Sequence, residues 1–125
     1  MKIIIVGAGK IGATLIKTFI KEGHSVVLID SSESAVTDNV NRYDINGFIG
    51  GGTEKGILTE AGVSEADFLI ACTSKDEVNI LSCVLAKKLG AKHTIARVRD
   101  PRYFNEIENI GEDLGLDLAF NPELQ

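Results

Sequence analysis

Apolar positions along the chain fall into short β-branched runs separated by stretches with helical spacing, and the two alternate from end to end. Ile3 to Val6 is a continuous apolar run. After glycines come Ile11, Leu15 and Phe19 at intervals of four, with Lys17, Lys21 and Glu22 on other faces and Gly23 as the stop. Val26 to Ile29 is a second β-branched run and closes on Asp30. Ser32 stands where an N-cap belongs, ahead of Val36, Val40 and Tyr43. Gly47, Phe48 and Ile49 read as a short third strand. Gly50, Gly51 and Gly52 follow, and Thr53 is placed to cap a short helix bearing Ile57, Leu58 and Ala61.

The second half repeats the alternation. Phe68 to Cys72 is a buried strand, and Ser74 with Glu77 has the spacing of a capping box. The helix that follows carries Val78, Leu81, Val84, Leu85 and Leu89 as its expected inner stripe and ends at Gly90. His93 to Val98 is a fifth strand. Asp100 and Pro101 open a helix whose inner stripe is expected to be Phe104, Ile107 and Ile110. Asp117 to Phe120 completes the set as an edge strand. Strands apolar on both faces and separated by helices imply a parallel sheet covered on both sides. The prediction is an α/β fold, a doubly wound Rossmann-like parallel sheet with six strands in the order 3-2-1-4-5-6 and helices on both faces. It takes up residues 1–125 as one domain with no linker.

Composition narrows the function. Of 125 residues 44% are hydrophobic, enough for one core, and 13 Lys plus Arg face 18 Asp plus Glu for a net charge of −5. An acidic chain is a poor general binder of nucleic acid or anionic membrane. Two histidines and two cysteines, with no Cys-x-x-Cys pair, argue against a metal site. Cys72 and Cys83 sit in apolar patterns and read as small core residues, while His24 and His93 read as solvated strand-entry positions. Neither a signal peptide nor a membrane span of roughly 20 apolar residues is visible, so a cytoplasmic location is expected.

The chemistry centres on Gly7-Ala8-Gly9-Lys10-Ile11-Gly12. G-x-G-x-x-G is weak alone, but here it follows a predicted strand and opens a predicted helix. Gly7 permits the tight turn, Gly9 lets backbone approach a pyrophosphate, and Gly12 lets the helix pack on the sheet. The free N–H groups and the positive helix end then attract phosphate. Asp30 closes the second strand at roughly the 20-residue interval at which an acidic side chain takes the hydroxyls of an adenosine ribose, which disfavours NADP. Other strand ends converge on the same crevice: Gly50 to Thr53, Thr73 and Ser74 as hydroxyl donors, and Arg97, which needs an anion if it points into an apolar sheet. No histidine, lysine or tyrosine is placed as an evident acid or base, so a catalytic role is not expected.

Several stretches in order carry a resemblance. They are Lys2 through Gly9, Val27-Leu28-Ile29-Asp30, Glu60-Ala61-Gly62-Val63, Ala71-Cys72-Thr73-Ser74-Lys75-Asp76-Glu77-Val78-Asn79, Ile95-Ala96-Arg97-Val98-Arg99, and Gly115-Leu116-Asp117 with Asn121-Pro122-Glu123. With these the chain resembles the N-terminal nucleotide-binding domain of TrkA-type potassium-uptake proteins, the KTN or RCK domain. The resemblance implies a regulatory subunit, peripheral at the inner face of the membrane, that senses NAD or NADH, or ATP and ADP in the same site. Its partner would be a membrane-embedded potassium transporter or channel, in a homodimer or larger ring. It places nucleotide contacts on Gly7, Ala8, Gly9, Lys10 and Ile11, on Asp30, on Gly52 and Thr53, on Thr73 and Ser74, and on Arg97. Gly12 completes the loop, and Ser31 follows Asp30 at the same strand end. Gly51 stands where the family often has Asp or Asn, so a hydrogen bond near the adenosine is expected to be missing. The end at Pro122-Glu123-Leu124-Gln125 reads as an interruption, with the family's second, smaller lobe absent from this chain. The alternative reading is the cofactor-binding half of an NAD-dependent oxidoreductase.

Overall fold

In the computed structural model, which describes residues 1–124, the β-branched segment Lys2–Val6 (β1) is hydrogen-bonded on both sides. Around it lie β2 (Ser25–Asp30), β3 (Asn46–Ile49), β4 (Phe68–Ala71), β5 (His93–Arg97) and β6 (Leu118–Phe120). All pairings are parallel and the order is β3-β2-β1-β4-β5-β6, as the hydrophobic pattern predicts. The helices are α1 (Lys10–Lys21), α2 (Glu33–Tyr43), α3 (Lys55–Glu60), α4 (Asp76–Lys88) and α5 (Pro101–Leu114).

Side-chain alternation along the strands divides the core in two. Ile3, Ile5, Val26, Leu28 and Ile70 pack with Ile16 of α1 and Val36 of α2. Ile4, Val6, Val27, Ile29, Leu69 and Ala71 pack with Leu58 of α3, Cys83 and Ala86 of α4, and Phe104 and Ile107 of α5. Each fully buried isoleucine in β1 contributes roughly 2–3 kcal/mol of burial free energy, which makes this strand the anchor of both layers.

Three helices bury further positions beside the apolar stripe their spacing suggests, and two of them expose one of its members. In α1 the fully buried positions are Gly12 and Ile16, and Ile11, Leu15 and Phe19 flank them half-buried. In α4 the buried positions are Asp76, Asn79, Ser82, Cys83 and Ala86, while Leu81 is 48% exposed. Small and polar residues let this helix approach the sheet closely and reach the loops at its N-terminus. In α5 Gly111 is buried and Ile110 is 47% exposed, so the inner stripe runs through Phe104, Ile107 and Gly111.

The caps divide similarly. Ser32 Oγ accepts the Ala35 N–H at 3.3 Å, and the Asp100 carboxylate accepts the Arg102 N–H at 2.9 Å, as expected. Thr53 is not the cap of α3; that position is Glu54. The Ser74–Glu77 capping box does not form, because α4 starts one residue later, with Lys75 as its N-cap. Asn79, one turn into the helix, organises the preceding loop instead.

Two carboxylates hold strand starts away from the crevice. Asp67 accepts the Lys2 N–H at 2.8 Å and pairs with Lys92 at 3.4 Å. Asp117 accepts the Thr94 N–H at 3.0 Å and pairs with Lys87 at 2.8 Å. The Lys2 amide, aided by Lys92, holds the Asp67 carboxyl below the usual aspartate value of 3.8. Burial raises Asp117, but Lys87 and the Thr94 amide outweigh it and the net shift is again downward. A lowered native pKa means the unfolded chain binds more protons. The stability from these groups is therefore fully present above the unfolded value and is lost as pH falls from there through the lower folded value. Denaturant melts across the range from about pH 5 to pH 2 will show falling stability. Asp67→Asn with Asp117→Asn will lower stability at neutral pH and flatten that slope; a slope equal to wild type would remove these two residues as its source.

Candidate functional site

At the carboxyl end of β1 the chain turns at Gly7, whose φ of +101° lies in the left-handed region that glycine alone adopts without strain. Its N–H donates to Ile29 O at 2.9 Å, so the turn begins still tied to β2. Gly12, in the first turn of α1, packs directly over it. A Cβ there would run into the Gly7 carbonyl and come within 3.3 Å of Cys72 Sγ. The Cys72 thiol donates toward Val6 O and Gly7 O at 3.4 and 3.5 Å, and burial pushes its pKa up to about 11. It is therefore a neutral packing group under the loop. Gly12 likewise serves packing and does not line the crevice.

Asp30 ends β2 beside this turn. Its Oδ2 accepts the Ala8 N–H at 2.7 Å and its Oδ1 accepts the Ser32 N–H at 2.8 Å. The carboxylate therefore fastens the glycine loop to the β2–α2 turn. It also takes an amide, that of Ala8, which the motif alone would assign to phosphate. Each oxygen retains acceptor capacity, and Asp30 lines the crevice, so the ribose role remains open to it.

The ends of β4 and β5 are joined by a residue that the sequence pattern does not single out. Asn79 is 0% exposed. Its Oδ1 accepts the Thr73 N–H at 2.9 Å and the Thr73 hydroxyl at 2.7 Å. Its Nδ2 donates to Thr73 O at 3.0 Å and to Arg97 O at 2.9 Å. The backbone partners fix which end of the amide is oxygen, and the bonding capacity of the side chain is spent on the two strand ends. The short bond to Asn79 commits the single proton of the Thr73 hydroxyl. Thr73 thus lines the crevice as an acceptor, not as the donor anticipated from its residue type.

Asp76, at the start of α4, does the same for the next loop. Its carboxylate accepts the N–H groups of Arg99 and Asp100, at 3.0 and 2.8 Å. Asp76 signals itself only as an acidic residue in a first helical turn. Asn79 signals itself only as a polar residue at buried spacing once the true inner face of α4 is known.

Arg97 ends β5 with its side chain 16% exposed and facing the crevice. One terminal nitrogen reaches Glu123 Oε1 at 3.4 Å, a long contact, while Nε is buried and finds no partner among the described residues. Arg99 reaches the same carboxylate oxygen at 3.6 Å and donates to Ser74 O at 2.8 Å.

These strand ends enclose a cavity of about 440 Å³ at the point where the chain reverses direction across the sheet, between β1 and β4. Gly7, Ala8, Gly9, Asp30, Ser31, Gly52, Thr73, Ser74 and Arg97 all line it. Lys10, Ile11 and Thr53 do not, because α1 and the loop before α3 turn away from the opening. Lys75 and Val78 do, a cation and an apolar wall that the capping-box reading of this segment leaves out. The Gly51 amide is taken by the Glu54 carboxylate, which turns back from the cap position of α3. Two cations, Arg97 and Lys75, beside a glycine turn that opens a helix fit a phosphate-bearing ligand.

Sheet order and crevice together define a Rossmann-type domain. The model of the TrkA-N domain matches residues 3–122, and the chain belongs to that family. Two relatives carry the name Trk system potassium uptake protein TrkA homolog. The one from Methanothermobacter thermautotrophicus is 35% identical over 123 residues, covering 98% of this chain and 55% of the relative. The one from Archaeoglobus fulgidus is 36% identical over 124 residues, covering 99% of this chain and 28% of the relative. The chain thus spans about half or less of the length of these curated relatives.

Solved structures agree on the fold. The TrkA-N domain of the inner membrane protein ybaL from Escherichia coli superposes with a TM-score of 0.86 at 18% identity, covering 98% of this chain and 88% of that one. The GsuK channel bound to NAD gives 0.78 at 22%, covering 94% and 21%. The Shewanella denitrificans Kef CTD in AMP bound form gives 0.78 at 20%, covering 97% and 71%.

The Asn79 clamp yields a direct test. Asn79→Leu keeps the branched outline of the side chain and strands the Thr73 and Arg97 backbone groups, each unpaired buried group costing about 1–3 kcal/mol. Chemical denaturation is expected to show a loss of about 3 kcal/mol. A loss under half that size would mean the strand ends find other partners.

Proposed function

We propose that this chain is the nucleotide-sensing part of a regulator of potassium movement across a membrane, holding NAD(H) or an adenine nucleotide without transforming it. The single observation that carries this reading is the convergence of the Gly7 turn, Asp30 and the guanidinium-bearing Arg97 on one ligand-sized cavity. Family membership and the relatives' names supply the potassium context. The NAD-bound channel and the AMP-bound domain of the same fold supply the ligand class.

The residues divide the work by chemistry. The glycine turn exposes backbone to phosphate oxygens, and Arg97 and Lys75 supply positive charge. Asp30 has acceptor capacity for ribose hydroxyls and repels a phosphate on the 2′ position. Val78 offers apolar surface to a flat ring. The titratable lining suits retention better than turnover. Its carboxylate already accepts two amide protons, its thiol is held protonated by burial, and its other two members are cations. The bound nucleotide would bias an oligomer in contact with a cytoplasmic face of a membrane transporter or channel. It does so only to the extent that it binds one arrangement more tightly than another.

Thermal-shift titration with NAD⁺, NADH, NADPH, ADP and ATP tests the reading. A ligand at a hundredfold excess over its Kd is expected to raise Tm by on the order of 10 °C. Arg97→Ala will abolish most of that shift, and Asp30→Asn will reduce it for NADH while narrowing the gap to NADPH. No shift with any of the five would overturn the nucleotide reading.

A further inference from the structure

Arg97 does not face the cavity with its charge free. Glu123 lies on the short 3-10 turn Pro122–Leu124 that follows β6, and its Oε1 stands 3.4 Å from Arg97 and 3.6 Å from Arg99. Arg99 is in turn anchored to the carbonyl of Ser74, a cavity-lining residue. A carboxylate that is not itself part of the cavity lining is therefore held beside a guanidinium whose residue lines it. The pairing is loose, since both contacts are longer than an ordinary charge-assisted hydrogen bond, and the Glu123 side chain is 58% exposed. It is not a structural ion pair of any strength. Its consequence is electrostatic: any anion that turns to Arg97 shares that cation with Glu123 and feels a second negative charge beside it.

We propose that Glu123 is a specificity-determining residue that sets which nucleotides the crevice accepts according to their charge. The penalty grows with the negative charge of the ligand. It is absent for adenosine, small for NAD⁺, whose nicotinamide cation offsets part of its pyrophosphate, and larger for ADP and ATP. Because Glu123 belongs to the turn that leaves the edge strand, a ligand that draws Arg97 inward also loosens the tie on that turn. This proposal rests on the nucleotide reading above and goes beyond it by naming what selects within the class.

The test is the affinity of wild type and Glu123→Gln for adenosine, NAD⁺, ADP and ATP, by calorimetry in buffer with a chelator so that no divalent ion bridges carboxylate and phosphate. Glutamine keeps the shape and removes the charge, and at an exposed position it leaves the fold intact, which an unchanged Tm without nucleotide checks. The expected result is no change for adenosine, less than twofold tightening for NAD⁺, and about two- to fivefold tightening for ADP and ATP. That gain is expected to shrink at high salt. Equal ADP affinity in the two proteins, or the same gain for all four ligands, would overturn the role of Glu123 while leaving the nucleotide reading standing. Failure of wild type to bind any of the four would overturn both.

Discussion

The crevice depends on backbone groups at the ends of parallel strands, which have lost their ladder partners and must find others. In this protein three buried or half-buried side chains supply them. Asp30 takes amides from the glycine loop and the β2–α2 turn, Asn79 ties the ends of β4 and β5, and Asp76 takes two amides from the loop after β5. Polar groups buried this way are costly unless satisfied, and when satisfied they hold the loops in one arrangement. The cavity keeps its shape because these loops are fastened to helices and to one another.

The same economy limits what the site has left for a ligand. The Ala8 amide, the Thr73 proton and the Gly51 amide are already engaged by Asp30, Asn79 and Glu54. Arg97 lines the crevice, and its buried Nε has no partner among the described residues. Positive charge lining the crevice comes from Arg97 and Lys75.

Arg97 takes part in two separate sets of contacts. Arg97 is fixed by its backbone carbonyl to Asn79 in α4, while its side chain is shared between the cavity and the turn after β6. A ligand that competes for the side chain leaves the main chain in place.

The fold was legible in the chain itself. β-branched runs alternating with helical spacing dictate a parallel sheet, and Gly7 to Gly12 after the first strand locate its crevice, because both signals are local and repeat with a fixed period. The inner faces of α4 and α5 were not legible, since Val78, Leu81 and Ile110 are as apolar as residues that do go inside. How close each helix comes to the sheet decides which face turns inward, and Ala86, Cys83 and Gly111 permit a closer approach than leucine would. Asn79, Asp76 and the partners of Asp30, Arg97 and Glu54 were likewise decided only in three dimensions. A hydrogen bond between groups far apart in sequence depends on where the backbone arrives, and no spacing along the chain encodes that.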